Sequence, residues 1–150
     1  MLYSKYCEHV IKALSYLNLH THEDKYIMVR EIADKTNIPY YFLSKIFQDL
    51  TATNWVVSKK GKHGGFTLAI DGKKLTLFEI IRWSDGEQIF NKCVLGDNVC
   101  SGDYECTLHN KCSQLRNDIT DFFHKMTVDD VSEINLEAFG SVKLEPLLTN

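Results

Sequence analysis

Proline is scarce in this chain of 150 residues. Its two prolines, Pro39 and Pro146, leave no proline-rich linker to divide it. There is no internal repeat and no low-complexity run. No apolar stretch approaches the roughly 18–20 residues of a membrane span, so no membrane partner is expected. The opening MLYSKYCEHVIKAL lacks an apolar core followed by a small-residue cleavage site. A secretory signal is therefore not expected, and the cytoplasm, where thiols stay reduced, is the expected compartment. Also missing are a nucleophile elbow, a phosphate loop and a His-Glu-x-x-His helix, so no enzyme class is indicated.

What is present is an ordinary globular composition, 44% hydrophobic and 25% charged, long enough for one domain with a modest extension. The net charge of −3 conceals a polarity. Residues 56–74 carry Lys59, Lys60, Lys62, Lys73 and Lys74 against Asp71 alone, whereas residues 85–150 carry twelve acids against five basic residues. One short segment can therefore face a polyanion and the C-terminal part cannot.

Leu2, Tyr6, Val10, Ala13, Leu14 and Leu17 recur at helical spacing and predict a first amphipathic helix over 2–19. After a polar loop at 20–25, Val29, Ile32 and Ala33 mark a short helix that ends near Thr36–Asn37. A tight turn follows, and Pro39 suits the first position of another helix, with Phe42 or Leu43, Ile46, Phe47 and Leu50 on one face, running to about Thr53. Two short helices so joined form a helix-turn-helix. The period then changes. Trp55–Lys59 and Phe66–Ile70 are β-prone runs flanking Gly61, Lys62, His63, Gly64 and Gly65, a hairpin with a basic, glycine-rich tip. Thr76 with Glu79 forms a capping box for a helix through Ile80, Ile81 and Trp83. Residues 85–107 read as an irregular loop. Leu108, Cys112, Leu115, Ile119, Phe122 and Met126 alternate four and three apart, a heptad seam suited to pairing helices. A helix packed on its own domain is the alternative. Thr127 with Asp130 caps a short last helix, followed by a tail containing Pro146.

The fold expected is mainly α with a small β-hairpin: a winged helix-turn-helix domain over 1–84, a cysteine-rich loop over 85–107, a long dimerisation helix over 108–126, and a short helix and tail over 127–150. In such a domain Tyr40, Tyr41, Ser44 and Lys45 stand on the face of their helix opposite its buried stripe, where polar groups can reach a major groove. Lys59, Lys60, Lys62 and His63, with the backbone of Gly64 and Gly65, can meet phosphates. Each feature alone is also what an ordinary solvated surface shows; their order along the chain points to duplex DNA.

Five cysteines are present, four of them between 93 and 112. Cys93, Cys100 and Cys106 are separated by six and five residues, and His109 follows Cys106 by three. Thiolates and imidazole suit iron–sulfur clusters or zinc, and the lack of paired Cys-x-x-Cys knuckles favours a cluster. A reversible thiol switch and inert packing remain open. Cys112 falls on the helix seam, where a small apolar residue is the simpler reading, and Cys7 reads as packing.

These residues resemble the IscR/NsrR family of bacterial winged-helix regulators from the first helix to about Met126. The most specific segments are Ser58–Ala69, Leu75–Ile81 and the three cysteines with Cys-x-x-His. The resemblance implies a homodimer formed through the long C-terminal helix on a double-stranded DNA operator. It also implies an iron–sulfur cluster, 2Fe–2S favoured over 4Fe–4S, whose state changes operator affinity. By position, Cys93, Cys100 and Cys106 would be thiolate ligands. The fourth ligand would be His109, or a carboxylate near the N-terminus of the other subunit, where Glu8 stands. The six-residue first interval is one longer than in the best-known members, Cys112 replaces a commonly aromatic residue, and IscR carries an acid at the Ser44 position. The rival functions are a metal-free thiol-switch regulator and an iron–sulfur carrier whose winged helix binds protein.

Overall fold

Helix α1 begins at Ser4, whose side chain accepts from the Cys7 amide, and covers Lys5–His20. It is later to start than the apolar spacing suggests, because Ser4 is the residue that can satisfy an orphan N–H. Val10, Leu14 and Leu17 on its inner face are fully buried, and the helix is the hub against which the other elements pack. The computed structural model describes residues 2–21, 25–93 and 106–133, apart from the side chain of Ile89. Cys100 and the tail with Pro146 lie outside the described residues.

Helices α2 (Val29–Thr36) and α3 (Tyr40–Leu50) form the expected helix-turn-helix. Asn37 makes the turn at φ 54°, a left-handed conformation that asparagine tolerates better than most residues. Pro39 takes the N-cap of α3 rather than its first helical position: its φ of −54° suits a helix, but its ψ of 132° is extended. Its carbonyl still accepts from Phe42 and Leu43. Leu43, Ile46, Phe47 and Leu50 are fully buried, each contributing about 1.5–3 kcal/mol of transfer free energy.

Strands β1 (Val56–Lys59) and β2 (Gly65–Leu68) pair antiparallel, Val56 opposite Leu68 and Lys59 opposite Gly65. The hairpin has a third member that the sequence pattern does not announce. Ile27 forms a bridge with Phe66, each amide donating to the other's carbonyl at 2.9 Å. A single buried residue offers no periodicity to read. Phe66 stacks on Phe47 at 4.5 Å between centroids, which locks the hairpin to α3.

A short 3-10 turn at Gly72–Lys74 leads to α4 (Leu77–Asp85), which opens with both halves of the capping box between Thr76 and Glu79. Within the span expected to be irregular lies a one-turn helix, α5 (Gln88–Asn91), too short to show a helical period. Then comes α6 (His109–Lys125), with Leu108 as its N-cap residue, and α7 (Val128–Ser132), closed by the Thr127–Asp130 capping box. The chain is thus mainly helical with one small hairpin, a winged helix-turn-helix. The last helix returns to the first: Asn18 Nδ2 donates to Asp129 Oδ1 at 2.9 Å, and Ser132 Oγ to the Ser15 carbonyl at 3.2 Å. Among the described residues of α6 only Phe123 is buried, against Tyr3 and Phe90.

Candidate nucleic-acid interface and cysteine-bearing segment

The N-terminal turn of α3 and the hairpin share one face. Tyr40 and Tyr41 are 53% and 76% exposed, unusual for rings with no interior to enter. Tyr40 lines an open groove of about 550 Å³ with Arg30, Ser58, Lys59, Lys60 and Gly61 among its other walls. Lys60, Lys62 and His63 are exposed around the tip, and Lys59 lies 5.3 Å over the Tyr26 ring. Ser44 is half-buried and its hydroxyl donates to the Tyr40 carbonyl at 2.9 Å, a back-bond that any incoming acceptor would have to replace. Lys45 is exposed but paired with Asp49 at 2.7 Å.

The two tip glycines expected to offer backbone amides differ in role. Gly64 is buried and its amide donates to the Gly61 carbonyl at 2.9 Å, so that donor is spent inside the turn. A side chain there would strike the Lys59 carbonyl. Gly65, at φ 144°, sits against the backbone of Ile27. Both glycines therefore shape the wing, and the lysines supply its charge. Arg30, which carries no motif in the sequence, emerges as a wall of the groove. Its guanidinium lies 5.8 Å from the Tyr40 ring centroid, within cation–π range. Only the tertiary placement of α2 beside the hairpin reveals it.

Cys93 and Cys106 bracket residues 94–105, which with Cys100 lie outside the described residues. Cys93, Cys106 and Cys112 are partly exposed thiols in no disulfide; Cys7 is buried. Burial pushes the Cys7 thiol up to about 12, against a weaker lowering by its bond with Ser84, so it stays protonated and inert. His109 is the first residue of α6, and its amide donates to the Cys106 carbonyl at 3.0 Å, which keeps thiol and imidazole on one turn. Among the described residues, no three His, Cys, Asp or Glu side chains converge on one point. The donors nevertheless fit a soft metal centre in type: partly exposed thiols with a histidine beside one of them.

Glu8 is held by Lys5 Nζ at 2.9 Å and Lys12 Nζ at 2.8 Å. Partial burial raises its carboxyl, but the bonds from Lys12 and Lys5 outweigh this and hold it below the ordinary value. It is ionised, yet would have to give up a lysine before meeting a metal. Cys112 lies on the seam with Leu108, Leu115, Ile119, Phe122 and Met126. Leu108, Leu115 and Phe122 are 44%, 59% and 53% exposed, while Ile119 and Met126 pack against the protomer's own core, so the core takes part of this stripe and leaves the rest open.

No described helix is long and apolar enough to cross a membrane. The fold is shared with CymR of B. subtilis, the global cysteine regulator (TM-score 0.74, 19% identity, 87% of this chain and 95% of that one). It is shared too with T. potens IscR (TM-score 0.64, 18% identity, 90% and 88%). In sequence, the chain is 35% identical to a protein of Aquifex aeolicus assigned as an HTH-type transcriptional regulator, over 91% of this chain and 94% of the relative. It is 24% identical to the HTH-type transcriptional regulator IscR of Vibrio cholerae, over 82% of this chain and 70% of that protein. The family model for Rrf2, described as an iron-dependent transcriptional regulator, matches residues 3–134. The chain belongs to the Rrf2 family of winged-helix transcriptional regulators.

Proposed function

We propose that this regulator acts as a cytoplasmic homodimer on a two-fold symmetric DNA operator, with an iron–sulfur centre held by Cys93, Cys100 and Cys106 setting its affinity. The observation that carries the DNA part is the shared face of Tyr40, Arg30, Lys59 and Lys60 around one groove. The wing lysines neutralise phosphates and release counterions, while the first turn of α3 approaches base edges. Tyr41, the more exposed ring, packs on a thymine methyl in this reading. Arg30 joins the lysines on the backbone. Two copies pair through the apolar stripe of α6, which sets the spacing of the two half-sites.

His109 or the partner's equivalent of Glu8 completes the ligand set. A 2Fe–2S group is favoured over 4Fe–4S, and when bound it supplies a centre whose charge and integrity respond to oxidants, iron and nitric oxide. The residues themselves transmit that state. Cys106 and His109 open the same helix that carries the dimer stripe, so a change in how they are held reaches the pairing of the subunits. Residues 1–84 bind DNA in this scheme, 85–107 hold the centre, 108–126 pair the subunits, and 127–150 form the closing helix and tail.

The test is anaerobic purification followed by iron and acid-labile sulfide analysis, with a visible spectrum of the wild type and Cys106→Ala. Iron and sulfide in near-equal amounts, lost in the variant, are expected. Operator affinity is then measured at fixed salt with and without the centre; equal affinities would sink the regulatory part. A second reading, a metal-free thiol switch, draws support from the fold likeness to CymR, one relative of which from Staphylococcus aureus is known in an oxidised form. It requires that peroxide change operator binding by iron-free protein and that Cys112→Ser matter as much as Cys106→Ser. The relatives favour either regulator over the electron-carrier alternative.

A further inference from the structure

A cleft of about 330 Å³ opens between α4, α5 and α6, apart from the DNA face. That volume is at the low end of the range for small-molecule sites, about 300–1,000 Å³. Its floor is aromatic: Phe78 and Phe90, whose rings lie 4.7 Å apart between centroids. Its rim carries a cation, an anion and neutral polar groups, namely Arg116, Glu87, Asn91, Asn117 and Thr120.

The guanidinium of Arg116 spends one bond at a distance of 3.1 Å on the Lys92 carbonyl, which orients the group. A planar fork with five donors retains capacity for a carboxylate. Among the described residues, the Glu87 carboxylate is engaged only by a long, exposed contact with Arg82 at 3.6 Å, which an arriving ammonium can displace. Thr120 donates to the Arg116 carbonyl at 2.7 Å, so its oxygen faces outward as an acceptor only. At 100° per residue, Asn117 and Thr120 turn away from Leu108, Leu115 and Phe122, while Arg116 flanks the stripe one turn after Cys112. Pairing of two copies through that stripe leaves the Asn117 and Thr120 side of the cleft accessible.

We propose that this cleft binds a free α-amino acid with an apolar side chain. The carboxylate meets Arg116 and Asn117, the ammonium meets Glu87, and the side chain lies on Phe78 and Phe90. The site would also report on occupancy. Lys92 immediately precedes Cys93, so a ligand that draws on Arg116 acts on the backbone from which the cysteine-bearing segment departs. Binding itself does not depend on the DNA or cluster reading.

The test is calorimetric titration of the full chain with L-phenylalanine and L-leucine, backed by amide chemical shifts. Saturable binding of at least one, at one per protomer, with shifts at Phe78, Asn91, Lys92 and Arg116, is expected. Loss of a charge-assisted contact weakens binding about tenfold or more, so 2-phenylethylamine and 3-phenylpropionate should both bind that much more weakly than L-phenylalanine. Arg116→Gln should lose binding by a similar factor. Asn117→Ala leaves the Arg116–Lys92 bond in place and should weaken binding about threefold. Absence of saturable binding up to about 10 mM would overturn the proposal, as would wild-type affinity in both variants.

Discussion

The phenol of Tyr6 on α1 donates to Asp49 Oδ2 on α3 at 2.9 Å, while Asp49 Oδ1 accepts from Lys45 at 2.7 Å. One carboxylate therefore fixes the seat of α3 on the hub helix and also holds Lys45, one of the residues proposed to face DNA. The Lys45 bond, against a small opposing effect of burial, holds the Asp49 carboxyl below its ordinary value. A depressed acid keeps its charge as pH falls, so this arrangement persists from neutral pH to below the usual carboxylate range.

Tyr6→Phe should retain the ring contacts with Phe42 and Trp83 and lose only the bond to Asp49. A hydrogen bond to a charged group in a half-buried site implies a loss of about 1–2 kcal/mol. Urea unfolding measures it. A change below about 0.5 kcal/mol would show that water replaces the phenol without cost.

For the wing, Lys60→Ala and Lys62→Ala should each weaken operator binding and shallow the dependence of log K on log salt by about 0.9. The weakening should be nearly the same on operator and random DNA. Tyr41→Ala, in contrast, should lower the preference for operator over random DNA while leaving the salt slope unchanged. Fluorescence anisotropy at several salt concentrations separates the two. Equal slopes for wild type and lysine variants would remove the hairpin from the interface.

How much of this was legible in the sequence depends on whether a residue's role is local. The capping boxes at Thr76 and Thr127, the turn at Asn37 and the stripes of α1 and α3 are written in neighbouring residues, and the elements form where those signals stand. Arg30 and Ile27 are different. Each gains its role from a segment some thirty to forty residues away, and nothing beside them in the chain foretells it. The helix α5 was hidden for a third reason: one turn is shorter than the window in which a period can be seen. The cysteine spacing names the donor types, which local sequence carries, while Cys100 lies outside the described residues.

Gly65→Ala should disrupt the bridge that ties Ile27 to the wing. At φ 144° an added Cβ would meet the Ile27 carbonyl, breaking the paired bonds between Ile27 and Phe66. The expected cost is about 2–3 kcal/mol. Operator affinity should fall more than in Lys60→Ala. A melting temperature equal to wild type would show that Ile27 can move aside.

If two copies pair as proposed, Leu115→Asp and Phe122→Asp should give a monomer in sedimentation experiments without loss of helical signal, because both side chains are more than half exposed within the protomer. Operator binding should then weaken at least tenfold, since each subunit engages one half-site alone. A dimer that survives both substitutions would place the interface elsewhere.

Alkaline pH should erode stability. Burial pushes the Cys7 thiol to about 12 from 9.0, and burial with Asp49 raises the Tyr6 phenol above its ordinary 10.0. Both stay protonated in the fold, whereas the unfolded chain loses those protons first. The folded state then binds more protons, so stability falls as pH rises above about 9. Urea midpoints across pH 7–11 (about 0.5-unit steps) test this, with Cys7→Ala flattening part of the decline. Thiol reagents at pH 8 should label Cys93, Cys106 and Cys112 in the iron-free fold and reach Cys7 only on unfolding.

The return of α7 to α1 has a consequence for synthesis. Asn18 and Ser15 on the first helix wait for Asp129 and Ser132, and Leu75 and Leu77 wait for Val128 and Met126, whose backbones they bond at 2.9 Å. The N-terminal half of the chain, though it contains the whole wing, is left with open seats while it emerges from the ribosome. Only when the segment after α6 has been made can those seats fill. A nascent chain therefore reaches its finished shape only after α6 has been made, since the residues that fill those seats follow it.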